Sequence, residues 1–217
     1  MSTVLIKKYT GPIIFWTPVI FLSLLLSYNS ILYFFNGSDY GILPEKLNEL
    51  KDPLWKASFY LHIPSGIVCL LSPLIAFLAP LLKKGWQLHR TAGKFYAWAT
   101  LALVCPTGVY MSFFAKGGII SKTGFLIQGL FLFYFTYKAV LDVKNGDMKG
   151  HREHMIRSYS MASAVLSFRI LHLLLLICNI PYTEVYTLSQ WMSMTIHLLA
   201  AEVIIEYNKK KSILITT

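Results

Sequence analysis

The chain has 217 residues, 55% hydrophobic and 14% charged, with a formal net charge of +10. A soluble domain carries about 25% charged residues, so this composition excludes an ordinary soluble fold, and the basic residues end apolar runs rather than form a stripe, which excludes nucleic acid as a partner. Cys69, Cys105 and Cys178 lie inside apolar segments without a CxxC pair, which excludes a disulfide framework or a thiolate metal site.

A membrane helix needs roughly 20 mostly apolar residues. The first run, 12–35, follows Lys7 and Lys8. It exceeds a signal-peptide core of about 7–15 residues and reads as a retained first helix. The connection 36–56 is the longest, and its Leu43–Leu50 stretch is expected to form a short surface helix. Further spans are expected at 57–82, 91–115, 120–142, 155–179 and 187–207. The fold class is therefore an all-α integral membrane bundle of about six transmembrane helices, forming one domain over 1–217. Membrane bundles tolerate the prolines in these runs, because neighbouring groups satisfy the freed carbonyls. Short connections make sequential helices antiparallel neighbours. Trp16, Trp55, Trp86 and Trp191 near span ends read as interfacial aromatic belts.

Lysine and arginine set the orientation. One side collects Lys7, Lys8, Lys83, Lys84, Arg90, Lys94, Lys138, Lys144, Lys149, Arg152, Arg157 and Lys209 to Lys211, against Lys46, Lys51, Lys56, Lys116 and Lys122 on the other. The bias places both termini in the cytoplasm, as expected for a multi-pass protein of the cytoplasmic (inner) membrane whose first partner is the lipid bilayer.

A weak internal repeat is visible. His89-Arg90, followed by Lys94 and Tyr96, matches His151-Arg152, followed by Arg157 and Tyr159, with a one-residue gap. The position of His62 has no counterpart, because the equivalent offset falls at Gly124.

Ionisable residues within spans cost roughly 2.5–3.5 kcal/mol for an arginine at the centre. Arg169 is the clearest case, with His172 one turn on, His62 near the outer end of the second span and His197 near the middle of the sixth. At 100° per residue, His154, Ser158, Arg169 and His172 share a face of the fifth helix. The second helix carries a stripe of His62, Ser65, Gly66, Cys69 and Ser72, and the third carries His89, Gly93, Tyr96, Thr100 and Thr107. The second, third and fifth helices are thus expected to meet around a polar seam, leaving the first and sixth peripheral. Inward histidines from different helices are the axial ligands of b-type haem. The outer pair would be His62 with His172, or His197 in place of either, and the inner pair His89 with His154. Arg169 would meet a haem propionate or a quinone oxygen. His154 and His172 are about 27 Å apart along the helix, so one outer haem is simpler than two. His89 and His154 have an alternative reading as interfacial anchors. Glu202 and Glu206 read as an interfacial face.

The stretch His89-Arg90-Thr-Ala-Gly93-Lys94-Phe-Tyr96 resembles an HR-x-x-G-[RK]-x-Y signature. His151-Arg152 through Met155-Ile156-Arg157-Ser158-Tyr159 to Arg169 resembles a second, HR-x-x-M-I-R-S-Y with a later arginine. Together with His62 and Gly66, these resemble the domain-of-unknown-function 2306 family of predicted bacterial membrane proteins over about 55–180. Glu153-His154 departs from the pair ending in tryptophan expected there. The resemblance implies importance for His89, Arg90, His151, Arg152, Arg157 and Arg169 and supplies no activity. Three function classes remain open at this point. They are haem b electron transfer with quinone or a membrane redox partner, a non-haem carrier or lipid/quinone-binding protein, and a structural subunit of a larger complex. No Walker loop, triad order or zinc-protease motif assigns an enzyme activity.

Overall fold

The computed structural model describes residues 2–79 and 85–216, with side chains for 16–79 and 85–211. Among these the elements are helices: α1 (Ser2–Ile31), a short α2 (Tyr33–Asn36), α3 (Pro53–Leu78), α4 (Gly85–Trp98), α5 (Cys105–Ser112), α6 (Gly118–Lys144), α7 (Met148–Ile177) and α8 (Tyr182–Thr216). Five helices are long and apolar enough to cross a membrane: Trp16–Asp39, Pro53–Leu78, Gly118–Lys144, Met148–Ile177 and Tyr182–Lys211. The remaining expected span, 91–115, is a composite rod in which a π-helical turn, Ala99–Val104, joins α4 to α5. Pro106, near the start of α5, lacks an N–H and its ring crowds the preceding turn. The widened turn, in which the Cys105 N–H reaches Thr100 O, absorbs that misfit. Lys7, Lys8, Lys83 and Lys84, part of the charge bias, lie outside the residues whose side chains are described.

Local chemistry fixes the ends. Asp52 caps α3 by accepting from Leu54 N at 2.9 Å, with Pro53 in the first turn. Asp147 caps α7 by accepting from Gly150 N at 2.9 Å, after Gly146 turns the chain at φ +79°. The 43–50 stretch does not form the expected surface helix. It makes two 3-10 turns, Leu43–Lys46 and Glu49–Lys51, and turns Leu43 fully inward.

The chain builds two hairpins of like orientation, α3 with the α4–α5 rod and α6 with α7, and α8 packs along α7 and α6. The sequence repeat is matched by contacts. His89 Nδ1 pairs with Ala76 O at 3.0 Å, and His151 Nδ1 pairs with Ala139 O at 2.8 Å. Each histidine ties the start of a returning helix to the end of the helix before it. Tyr96 and Tyr159 then join the hairpins: Tyr96 OH meets Ser158 Oγ at 2.5 Å, and Tyr159 OH donates to Leu70 O at 3.4 Å. Thr136 Oγ1 meets Ser158 Oγ at 2.6 Å and donates to Leu132 O, so three buried hydroxyls from α4, α6 and α7 satisfy one another.

Two expectations change. α8 is not peripheral, since α7 and α6 are its main neighbours and Gln190 is almost completely buried. Trp55 is not a belt residue, and Trp16 packs against other helices. Trp55 is 2% exposed and stacks on Phe59. Trp16 stacks on Phe77 of α3 and leans on Tyr159 of α7. Trp86 is exposed and stacks on His89.

Replacing Ser158 by Ala leaves the buried Tyr96 hydroxyl and Thr136 without their shared partner. The expected loss is about 1–2 kcal/mol, read as a lower unfolding midpoint in detergent, whereas Thr123→Ala, at an exposed hydroxyl that bonds only a carbonyl of its own helix, should change it little.

Candidate functional site

α3, α5, α6, α7, α8 and the end of α1 surround a cavity of about 380 Å³ at the end of the bundle that carries residues 37–52. Its size suits a small-molecule site. Its walls are mostly apolar, with Phe59, Ile63, Ile67, Leu70, Leu132 and Met161 among them. The polar groups are few. His62 Nδ1 meets Thr107 Oγ1 at 2.9 Å. The Thr107 hydroxyl donates to Leu103 O, so the imidazole donates from Nδ1 and keeps Nε2 as an acceptor. Gly108 lets α5 approach this ring, because a Cβ there would stand 3.1 Å from His62 Cε1. Gln190 Nε2 donates to Gln128 Oε1 at 2.6 Å, and Gln128 Nε2 donates to Met161 O at 3.0 Å, which locks α8, α6 and α7 together along the wall.

The 37–52 segment roofs the cavity. Lys46, 5% exposed, pairs with Glu49 at 2.7 Å and also donates to Phe114 O. Glu45 accepts from Tyr182 OH at 2.8 Å and pairs with Lys116 at 3.7 Å. Tyr110 OH donates to Asp52 Oδ2 at 2.8 Å. Hydrogen bonds from Tyr110 and the Leu54 N–H hold the Asp52 carboxyl below the usual carboxylate range.

Lys46, Lys116 and Arg169 are the charged residues lining the cavity, and no aspartate or glutamate lines it. Glu49 and Glu45 neutralise the two lysines. Arg169 has no ion pair among the described residues; its guanidinium stands 6.0 Å from the centre of the Phe168 ring.

The structure therefore brings His62 and Arg169 to one cavity and separates the other candidates from it. All six histidines are described, and only His62 lines the cavity. His172 lies against Tyr186, ring centroids 4.6 Å apart, with its Nδ1 buried and unpartnered. His197 pairs with Ser163 at 3.2 Å. His154 pairs with Asp142 at 2.5 Å beside Phe135, and His89 and His151 bind backbone carbonyls. The inner histidines thus do separate jobs at helix ends, and no bis-histidine axial pair faces the cavity. No group of three or more His, Cys, Asp or Glu side chains suited to a metal ion occurs among the described residues.

Of the histidine-arginine motif residues, Arg157 is bidentate to Glu202, with Nε to Oε1 at 2.6 Å and Nη2 to Oε2 at 2.9 Å. Glu202 is thus the α8 partner of a motif arginine rather than part of a free interfacial face. Arg90 and Arg152 are exposed. Sequence reasoning missed Gln128, Gln190 and Lys46 as cavity residues. The two glutamines carried a signal, being amides inside apolar runs, but the burial of Lys46 comes from a loop folding back and leaves no local mark.

The profile of a family described as "Predicted membrane protein (DUF2306)" matches residues 59–205, from near the start of α3 into α8. No curated protein and no solved structure matches the chain.

The roof carries a pH dependence. Because the folded carboxyl of Asp52 is held low, its stabilising effect is present above the unfolded value and lost as pH falls through the folded one. Hydrogen exchange across 43–52 is expected to accelerate in that acidic window, and Tyr110→Phe should shift the acceleration to higher pH.

Proposed function

The chain belongs to the DUF2306 family of predicted membrane proteins, and from that premise we propose that it binds an amphipathic, lipid-like molecule in this cavity, with Arg169 anchoring the polar head. The observation that carries the reading is a cation without a carboxylate partner on a wall that has no acidic residue. A charge on a membrane-spanning helix away from its ends is expensive unless it is paired. An anionic or strongly accepting head supplies the partner that the fold omits, and the apolar walls receive the rest of the ligand. His62, with Nε2 free to accept, lies among the apolar walls and supports shape more than charge.

The charge bias supports a placement in the cytoplasmic membrane with the 145–147 end inside, so the cavity opens on the outer half. A bis-histidine haem b would need a second imidazole beside His62, and none lines the cavity. A quinone meets the same polar chemistry through its carbonyl oxygen.

Binding of dodecanoate and of a decyl-quinone to the full chain in nanodiscs tests the reading. Arg169→Ala is expected to weaken the preferred ligand about tenfold or more, since a hydrogen bond to a charged group is worth about 1.5–3 kcal/mol. Arg169→Lys should retain part of the affinity, and His62→Gln most of it. Preference for the quinone makes that the ligand. Equal binding by Arg169→Ala and wild type would refute the proposal, and a b-type spectrum lost in His62→Ala would restore the haem reading.

A further inference from the structure

The position of Arg169 says more than that the cavity wants a counter-charge. Among the residues that line the cavity, Arg169 is the only exposed one, and every other is buried or half-buried. Arg169 is thus the most exposed point of the lining, and the mouth is placed there. That residue is eight positions before the end of α7 at Ile177, about 12 Å along the helix. The mouth accordingly opens on the side of the bundle, facing acyl chains, rather than through the roof.

The neighbouring helices agree with this placement. α1 packs on α3 and α7. It holds one end of α3 through Trp16 on Phe77, and the short α2 that follows it holds the other through Tyr33 on Phe59 and Phe34 on Tyr60. It meets α7 through Trp16 on Tyr159. From that contact α1 and α7 run the same way, and Leu26 and Arg169 are each ten residues on, about 15 Å higher. At that height Leu26 and Ser27 of α1 and Val165 and Arg169 of α7 all line the cavity, so it reaches both helices there. The roof, in contrast, is closed by the Lys46, Glu45 and Asp52 contacts. The outward neighbours of the mouth, Phe21, Leu24, Leu25 and Ile170, are exposed apolar side chains suited to lipid.

We propose that the cavity is loaded sideways from the bilayer, between α1 and α7, by a single-chain anionic amphiphile that inserts tail first and leaves its head at Arg169. This rests on the binding reading above and adds the route, the orientation and the chain class. The one lining cation without a carboxylate partner is at the mouth, while Phe59, Ile67, Leu70 and Met161 lie inside, so a charged head placed inward would lose its solvation without gaining an unpaired partner. The volume limits the size: about 380 Å³ lies at the low end of small-ligand sites, which favours a single short acyl chain over two.

The test uses the full chain in nanodiscs and dodecanoic acid carrying a diazirine on its terminal carbon, with labelled peptides mapped by mass spectrometry. Label is expected on interior wall residues of α3 and α6, displaced by unlabelled dodecanoate. Val165→Trp, which narrows the mouth, should cut interior labelling about tenfold without changing label on the lipid-facing side of α8. Leu26→Trp, from the opposite rim, should do the same and serves if the first variant misfolds. Independently of any variant, affinity in mole-fraction units should rise from eight to about twelve carbons and then level off. Interior labelling that survives both tryptophans, or affinity that keeps rising to eighteen carbons, would overturn the proposal. If Arg169→Ala abolishes labelling while the rim variants do not, the site stands and the side entrance falls. If none of the three matters, the binding reading itself falls.

Discussion

In a bilayer no solvent rescues an unpaired polar group, so each one on a spanning helix must find its partner inside the protein. Most of this bundle follows from that constraint. Serines and threonines turn back on their own helix, as Ser65 does to Leu61 O and Ser72 to Val68 O, or meet across helices, as Tyr96, Ser158 and Thr136 do. Histidines at the hairpin turns bind carbonyls. Gln128 and Gln190 satisfy each other, and Arg157 takes both oxygens of Glu202. Arg169 departs from this pattern, and the departure gives the cavity its character.

The cavity also reflects an imperfect duplication. Both hairpins share a histidine latch and a tyrosine that crosses to the other hairpin. The two seams between the hairpins nevertheless differ. The α4–α5 rod lies closely along α6, while α3 and α7 touch only sparsely. Gly124 stands where the first copy has His62, and there α8 closes in, with Gln190 Cγ only 2.8 Å from where a Cβ would be. In the first copy the ring of His62 remains beside open space. One hairpin is thus filled by its extra helix, whereas the other keeps a void that α1 covers along one side.

Helix number, order and polar seam were legible in the sequence because apolar runs of span length and misplaced ionisable residues are strong local signals. The stripe on the third span reappears as Tyr96, Thr100 and Thr107 in contact with Ser158, Cys69 and His62. Pairing across helices was not legible. His154, Ser158, Arg169 and His172 share a face by angle, yet α7 is packed on several sides and each of them meets a different environment. Angular coincidence over a long helix does not imply a common neighbour. Trp55 and Lys46 show the same limit, since their burial comes from a roof that folds back from elsewhere in the chain.

The π-helical turn at Ala99–Val104 takes up one residue more than a regular turn would. Before and at its start, Tyr96 and Thr100 have their partners; beyond it, Thr107 and Gly108 have His62. Removing one residue inside the turn would return it to regular winding with both halves still in phase, whereas removing one from the regular helix on either side would turn one half by about 100° relative to the other. Family members of different length should therefore accept a one-residue change within 99–104 and otherwise place their insertions in the connections at the helix ends.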